Sequence, residues 1–267
     1  MLHTLPEGNQ VWGVTSLDNL LYVLRHKSSQ QISVYDTDYY RLQRRINVSK
    51  LRGMADMTAC AYNYCLYISG FTDKCVHRVA LPNVNVTQWP VNDVAGGLSV
   101  TDTHSVLVTC REVRKIKEFT THGRLIRQIE LPQDVSPRHA VHLSSGEVTV
   151  CRGRIANPVH GVYLVGTDGQ VVKSYGGSQG SGSEQMNVPC HIAVDGNGFV
   201  FVADYNNRRV LLLSPALTYV REVVSSEQLT WKPIRLFLDD DIRQLYVADN
   251  KWDGKKFTAG RVVVIRV

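Results

Sequence analysis

Residues 188–213, VPCHIAVDGNGFVFVADYNNRRVLLL, decide how the rest of the chain is read. Three apolar runs, at 191–194, 199–203 and 210–213, are separated by DGNG (195–198) and by DYNNRR (204–209). Asn and Gly accept the positive φ of a tight turn, so the first break predicts a β-hairpin. The second break is polar and irregular, and an exposed loop is expected there. TYVREVV (218–224) supplies a fourth strand. One four-stranded sheet buries too little apolar surface to stand alone, which points to a repeat.

The repeat is present. The residue opening each first strand recurs as Gly13, Asp56, Gly97, His139, His191 and Arg235, at intervals of 41 to 52 residues. Second runs follow as LLYVL (20–24), CLYIS (65–69), SVLVT (105–109), EVTVC (147–151), FVFVA (199–203) and QLYVA (244–248). Third runs fall at 32–35, 76–79, 116–119, 162–165, 210–213 and 262–265. Six four-stranded antiparallel units of this period predict an all-β fold, a six-bladed β-propeller forming a single domain over residues 1–267. The ends predict how the ring closes. RVVVIRV (261–267) reads as a third strand with no fourth behind it. Leu5-Pro6 precedes Gly13 by the same step as Trp89-Pro90 precedes Gly97 and Leu131-Pro132 precedes His139. Each pair ends an outer strand, so residues 1–5 are expected to complete the last blade and, with it, the propeller.

The best unit, Pro189-x-His-Ile-Ala-Val-Asp-Gly-x-Gly followed by Phe201-Val-Ala-Asp204-x-x-Asn207-Arg208-Arg209-Val, resembles an NHL repeat. The unit from Pro233 to Ile265, with Tyr246-Val-Ala-Asp249, is similar; the other four keep the spacing but lose most of the signature. The resemblance implies a six-bladed propeller. It also implies a protein-binding or RNA-binding module of the kind found at the end of tripartite-motif ubiquitin ligases. The chain has no RING-type Cys/His cluster of its own.

Charge is distributed unevenly. The formal net charge is +6, yet the segments joining second to third strands hold thirteen basic residues against five acidic ones. In a propeller these segments share one face with the loops entering the first strands, and a basic excess gathered there is the footprint of a polyanion site. The residues expected to bind are Arg25, Lys27, Arg111, Arg114, Arg152, Arg154, Arg208 and Lys251, with Tyr205 and Trp252 as stacking rings. Single-stranded RNA and an acidic protein segment both suit such a face. Arg209 and Arg261 are expected instead to pair with Asp204 and Asp249.

The residues opening the first strands ring the central channel. His139 and His191 come from neighbouring blades and Asp56 approaches from across the axis, a donor set that suits Zn or Ca. Propeller lyases that cleave peptidyl hydroxyglycines are similar in carrying histidines in Pro-x-His contexts like Pro189-Cys190-His191. That resemblance implies a metal-dependent lyase or hydrolase at the channel mouth. Only two histidines carry over, Gly13 and Gly97 stand at other opening positions, and Arg235 would repel a cation. The alternative is that the histidines hydrogen-bond within a polar channel and hold no cofactor.

Other chemistry is weak. The chain has no GxxxxGK, no G-x-S-x-G and no paired CxxC, and Cys75-x-His77 reads as structural. Of the six cysteines, Cys60, Cys110 and Cys151 fall on strands and read as buried thiols; Cys60 and Cys65 flank a turn and could bridge in a secreted protein. Asn47-Val-Ser and Asn85-Val-Thr have the form of glycosylation sites. No signal-peptide pattern opens the chain and no run approaches about 18 apolar residues, so a cytoplasmic monomer without membrane insertion is expected. YGGSQGSGSE (175–184) reads as a flexible surface insertion or a lid.

Overall fold

The structure is a computed structural model that describes residues 2–26, 31–48, 51, 53–153, 159–182 and 184–267. Six four-stranded antiparallel sheets account for all its regular structure. Five of them are simple meanders, such as the fifth blade, with strands Pro189–Val194, Val200–Asp204, Arg209–Leu213 and Tyr219–Val224. The sixth is closed by the other terminus: Leu2–Thr4 pairs antiparallel with Phe257–Arg266, in the register Leu2 to Ile265 and Thr4 to Val263. Leu5, fully buried, continues the contact by donating its N–H to the Val262 carbonyl at 2.9 Å. Among the described residues no helix is long and apolar enough to cross a membrane.

Alternation along each strand explains why blades assemble into a ring. Successive side chains point to opposite faces of a sheet, so each blade feeds two seams. In the fifth blade Val200 and Val202 enter the core shared with the fourth, while Phe201 and Ala203 enter the core shared with the sixth. The six apolar clusters of the structure correspond to the six seams. Burial is thus complete only when the ring is closed.

Two expectations about connections are corrected. The DYNNRR segment is not an open loop: Asp204 pairs directly with Arg209, and Tyr205–Arg208 form a four-residue turn with Arg208 at φ 53°. The described residues of the Gly/Ser insertion are tied to the fifth blade and stand away from the central cavity. The outer strand of the fourth blade extends to Ser178, and Arg209 donates to the carbonyls of Ser181 (3.3 Å) and Gln185 (2.9 Å) while its Nε binds Asp204 at 2.8 Å. Asn207 holds the Gly180 carbonyl at 2.8 Å. This latch lies outside the residues lining the central cavity. Cys60 and Cys65 face each other in register across their hairpin, and both are free thiols.

Candidate functional site

The innermost strands carry a repeated irregularity. Register shifts fall between Val11 and Gly13, Met54 and Asp56, Ala95 and Leu98, Pro189 and His191, and Pro233 and Arg235. In the fourth blade the strand simply begins at His139. A bulge bends its strand and re-aims the adjacent side chain. Here it divides these five innermost strands into a top that faces an open funnel and a following residue that faces the channel.

The channel layer is closed by four side chains. Asp56 accepts from the Met57 and Leu98 N–H groups, each at 2.9 Å, and lies 3.2 Å from His191 Nε2, 2.9 Å from Arg235 Nε and 3.8 Å from His139 Nε2. The two imidazoles stack with centroids 3.6 Å apart. Arg235 also donates to the carbonyls of Ile234 and Ala55. Gly97 makes room for this layer, since a Cβ there would stand 2.7 Å from His139 Cδ2; a Cβ at Gly13 would stand 2.5 Å from Met57 Cβ, beside Asp56 in the chain.

Asp56, His139 and His191 do come together as expected, with ligand atoms within 4.8 Å of one another. The histidines' Nε2 atoms carry protons and offer a metal no lone pair. His191 Nδ1 accepts the Leu236 N–H at 3.3 Å, which puts the proton of the neutral ring on Nε2, facing Asp56. His139 Nε2 lies 2.9 Å from the Leu98 carbonyl, which can only accept, so that nitrogen is protonated too. Arg235 already supplies the positive charge. Zn or Ca bound through the two Nε2 atoms would have to strip both donors and displace a guanidinium, while His139 Nδ1 is buried without a hydrogen-bond partner among the described residues.

The network's charge state is set by burial. Burial opposes ionisation of Asp56, but Arg235 and then His191 outweigh it and hold the carboxyl well below the usual range. Burial, reinforced by His191, pushes His139 down to about 3, and burial also lowers His191 despite Asp56. A depressed carboxyl gives stability that is lost as pH falls through its folded pKa. A depressed histidine resists the proton that the unfolded chain takes up below about 6.5. The carboxyl's contribution is lost only below about pH 4, so the histidines alone act between pH 7 and 4.5. Tm is therefore expected to fall by several degrees between pH 7 and pH 4.5, followed by circular dichroism, and a flat profile would contradict this assignment.

Above the layer lies the funnel, a cavity of about 520 Å³ open to the face that carries the loops between second and third strands. Each blade contributes from equivalent places. The first turn residue after a second strand supplies Phe71, Arg111 and Tyr205, the tops of innermost strands supply Trp12 and Ile234, and the loop entering the fourth blade supplies Arg138. Phe257 joins from the long sixth-blade hairpin, edge-on to Tyr205 at 6.5 Å and to Trp252 at 4.9 Å. Among the described residues three arginines, Arg111, Arg138 and Arg235, line this cavity and no carboxylate does.

The basic face read from the sequence separates into groups with different roles. Arg111 and Tyr205 line the funnel. Arg114 and Arg208 are exposed on turn tips at φ 52° and 53°, the position that Lys74 occupies in the second blade at φ 54°. Lys251 and Trp252 are exposed on the sixth-blade hairpin. Arg25 is committed to structure, donating to the carbonyls of Asn9, Gly260 and Pro6 at 2.9, 3.0 and 3.1 Å. Arg152 is only 3% exposed and pairs with Asp134 at 3.5 Å. Both of these expected binding residues are therefore already engaged by groups of the protein itself. Lys27 and Arg154 lie outside the described residues. Arg209 and Arg261 pair with Asp204 and Asp249, as expected. Trp12, His26 and Arg138 escaped the sequence reading. They sit at the top of a first strand (Trp12), one step past a second strand (His26) and in the loop before a first strand (Arg138), where nothing in the residue pattern says which side chain turns inward.

No protein-family model and no curated protein matches the chain. Solved structures do. The virginiamycin B lyase of Staphylococcus aureus is 10% identical over 100% of both chains, with a TM-score of 0.66. A protein of unknown function from Bacteroides thetaiotaomicron is 14% identical over 96% of this chain and 70% of its own, with a TM-score of 0.70. The β-propeller domain of Myceliophteria thermophila Cps50 (Swd1) is 10% identical over 96% and 82%, with a TM-score of 0.63. At these identities the likeness shows the fold alone, a six-bladed β-propeller.

Proposed function

We propose that this propeller is a non-enzymatic recognition module that seats an anionic partner in its top-face funnel. The observation that carries the reading is the lining itself: among the described residues Arg138 stands with Arg111 and Arg235, several aromatic rings and no carboxylate around one concave, open cavity. Guanidinium groups beside apolar walls bind anions more strongly than they would in water, because the walls exclude solvent. An acidic protein segment and single-stranded RNA both present the necessary charge. A place in a tripartite-motif-like ubiquitin ligase rests on the NHL likeness of the fifth and sixth blades. The rival reading, a lyase or hydrolase working through a metal at the channel, is disfavoured by the same geometry. The polar layer lies beneath the funnel floor, and its imidazole Nε2 hydrogens are already engaged.

Charge reversal tests the site. In the double variant Arg111→Glu/Arg138→Glu, binding of polyglutamate and of oligo(U) is expected to weaken by roughly a hundred-fold, with Tm unchanged. Binding that survives this change would place the anion site elsewhere. Arg25 and Arg152 are unsuitable targets, since replacing either removes structural bonds.

A further inference from the structure

We infer that the funnel receives the free C-terminal end of a partner polypeptide, with its terminal carboxylate on Arg138 and a large apolar last side chain against the walls. This rests on the funnel reading above and narrows it. The first observation is that the funnel is a dead end. Asp56, His139 and His191, each under 7% exposed, and Arg235 above them close the channel, and a separate cavity of about 190 Å³ lies beyond. A chain entering from the top cannot pass through. About 520 Å³ admits one or two residues as a single strand, whereas an internal segment must enter and leave by the same opening.

The second observation is the state of Arg138. Its backbone is fixed: its N–H donates to the Cys151 carbonyl at 2.9 Å, its own carbonyl accepts from Thr109 Oγ1 at 3.2 Å, and Pro137 restricts the chain ahead of it. Among the described residues no carboxylate lies within ion-pair distance of its guanidinium. It stands one residue before His139, at the base of the funnel. A planar guanidinium matches a carboxylate in a two-bond fork. Arg235, beside it, is already paired with Asp56 at 2.9 Å.

The third observation concerns the walls. Met54, Val188 and Ile234 offer apolar surface below, and the rings of Phe71, Tyr205 and Phe257 stand around it. That lining suits one large apolar side chain. It does not suit a phosphate track, which needs a row of available cations. Arg25, Arg152, Arg209 and Arg261 are all spent within the protein. The exposed Lys74, Arg114 and Arg208 would attract acidic residues further back along the partner, weakly and with strong salt screening.

The experiment is fluorescence anisotropy with labelled decapeptides that share one acidic body. They end in Phe, Leu or Ala, each as the free acid and as the amide, and a labelled oligo(U) dodecamer is run alongside. The free acids ending in Phe and Leu are expected to bind best, with amidation weakening them about ten-fold or more. Arg138→Gln is expected to abolish the acid–amide difference while Tm holds. The wild-type acid-to-amide ratio needs no variant and stands if that variant fails to fold. Equal binding of acid and amide, both lost in Arg111→Glu/Arg138→Glu, would overturn the terminal-carboxylate inference and leave the funnel as an anion site. Oligo(U) binding in preference to every peptide would overturn it in the same way. If neither peptides nor oligo(U) bind even at low salt, the funnel reading itself fails.

Discussion

Replacing Asp56 with alanine is expected to lower the stability of the domain by about 3–5 kcal/mol, the cost of breaking a buried ion pair by removing one partner. Asp56 is 1% exposed and joins innermost strands of four blades through Leu98, His139, His191 and Arg235. Without it, Arg235 keeps its charge with no counterion in the layer, and the N–H groups of Met57 and Leu98 lose their acceptor. For a domain of this size each kcal/mol shifts Tm by roughly 2–4 °C, so a fall on the order of 10 °C is expected in a thermal melt. The double variant Asp56→Ala/Arg235→Met should recover much of the loss, because it removes both charges together. A single variant that melts with the wild type would show that the layer is not a structural plug.

Removing residues 1–5 is expected to have a larger effect. The deletion leaves the strand Phe257–Arg266 as an unpaired edge and uncovers the seam between sixth and first blades, where Leu5 packs with Val11, Tyr246 and Val264. Leu5→Ala alone should cost about 2–5 kcal/mol, as buried leucine truncations do. The deletion adds the lost ladder and weakens the clasp in which Arg25 gathers Pro6, Asn9 and Gly260. An opened ring exposes apolar surface at both sides of the break. The truncated chain is therefore expected to lose its single cooperative transition and to aggregate. A truncated chain that melts cooperatively near the wild-type Tm would mean that the terminal strand decorates the ring without closing it.

The architecture was legible because it is written in periods. Alternation inside runs such as FVFVA announces strands buried on both faces, and the recurrence from Gly13 to Arg235 announces blades. The meeting of Asp56, His139 and His191 was legible for the same reason, since equivalent positions in a ring converge on its axis. The funnel was harder to see. Its members come from loops before first strands, as with Arg138, and from single turn positions, as with Phe71, where no alternation pattern marks the inward side chain. Charge counting also misled in a physical way. Arg25 and Arg152 add to the basic total as the exposed Arg114 and Arg208 do, but carbonyls and a carboxylate of the protein itself hold them. The sequence records how much charge a face carries and not how much of it is already neutralised. The Gly/Ser insertion misled similarly, because Arg209 and Asn207, more than twenty residues further on, tie it down.

The claim at the centre of this account is that the top-face funnel is where a partner binds. Fluorine NMR of protein labelled with 5-fluorotryptophan tests it most directly. Of the four tryptophans, Trp12 lines the funnel and Trp252 stands on its rim, whereas Trp89 is buried in the outer strand of the second blade and 6% exposed. On titration with the acidic decapeptide ending in Phe, the Trp12 resonance should shift saturably, Trp252 should follow, and Trp89 should stay in place. Saturable binding that leaves Trp12 unmoved would contradict the account.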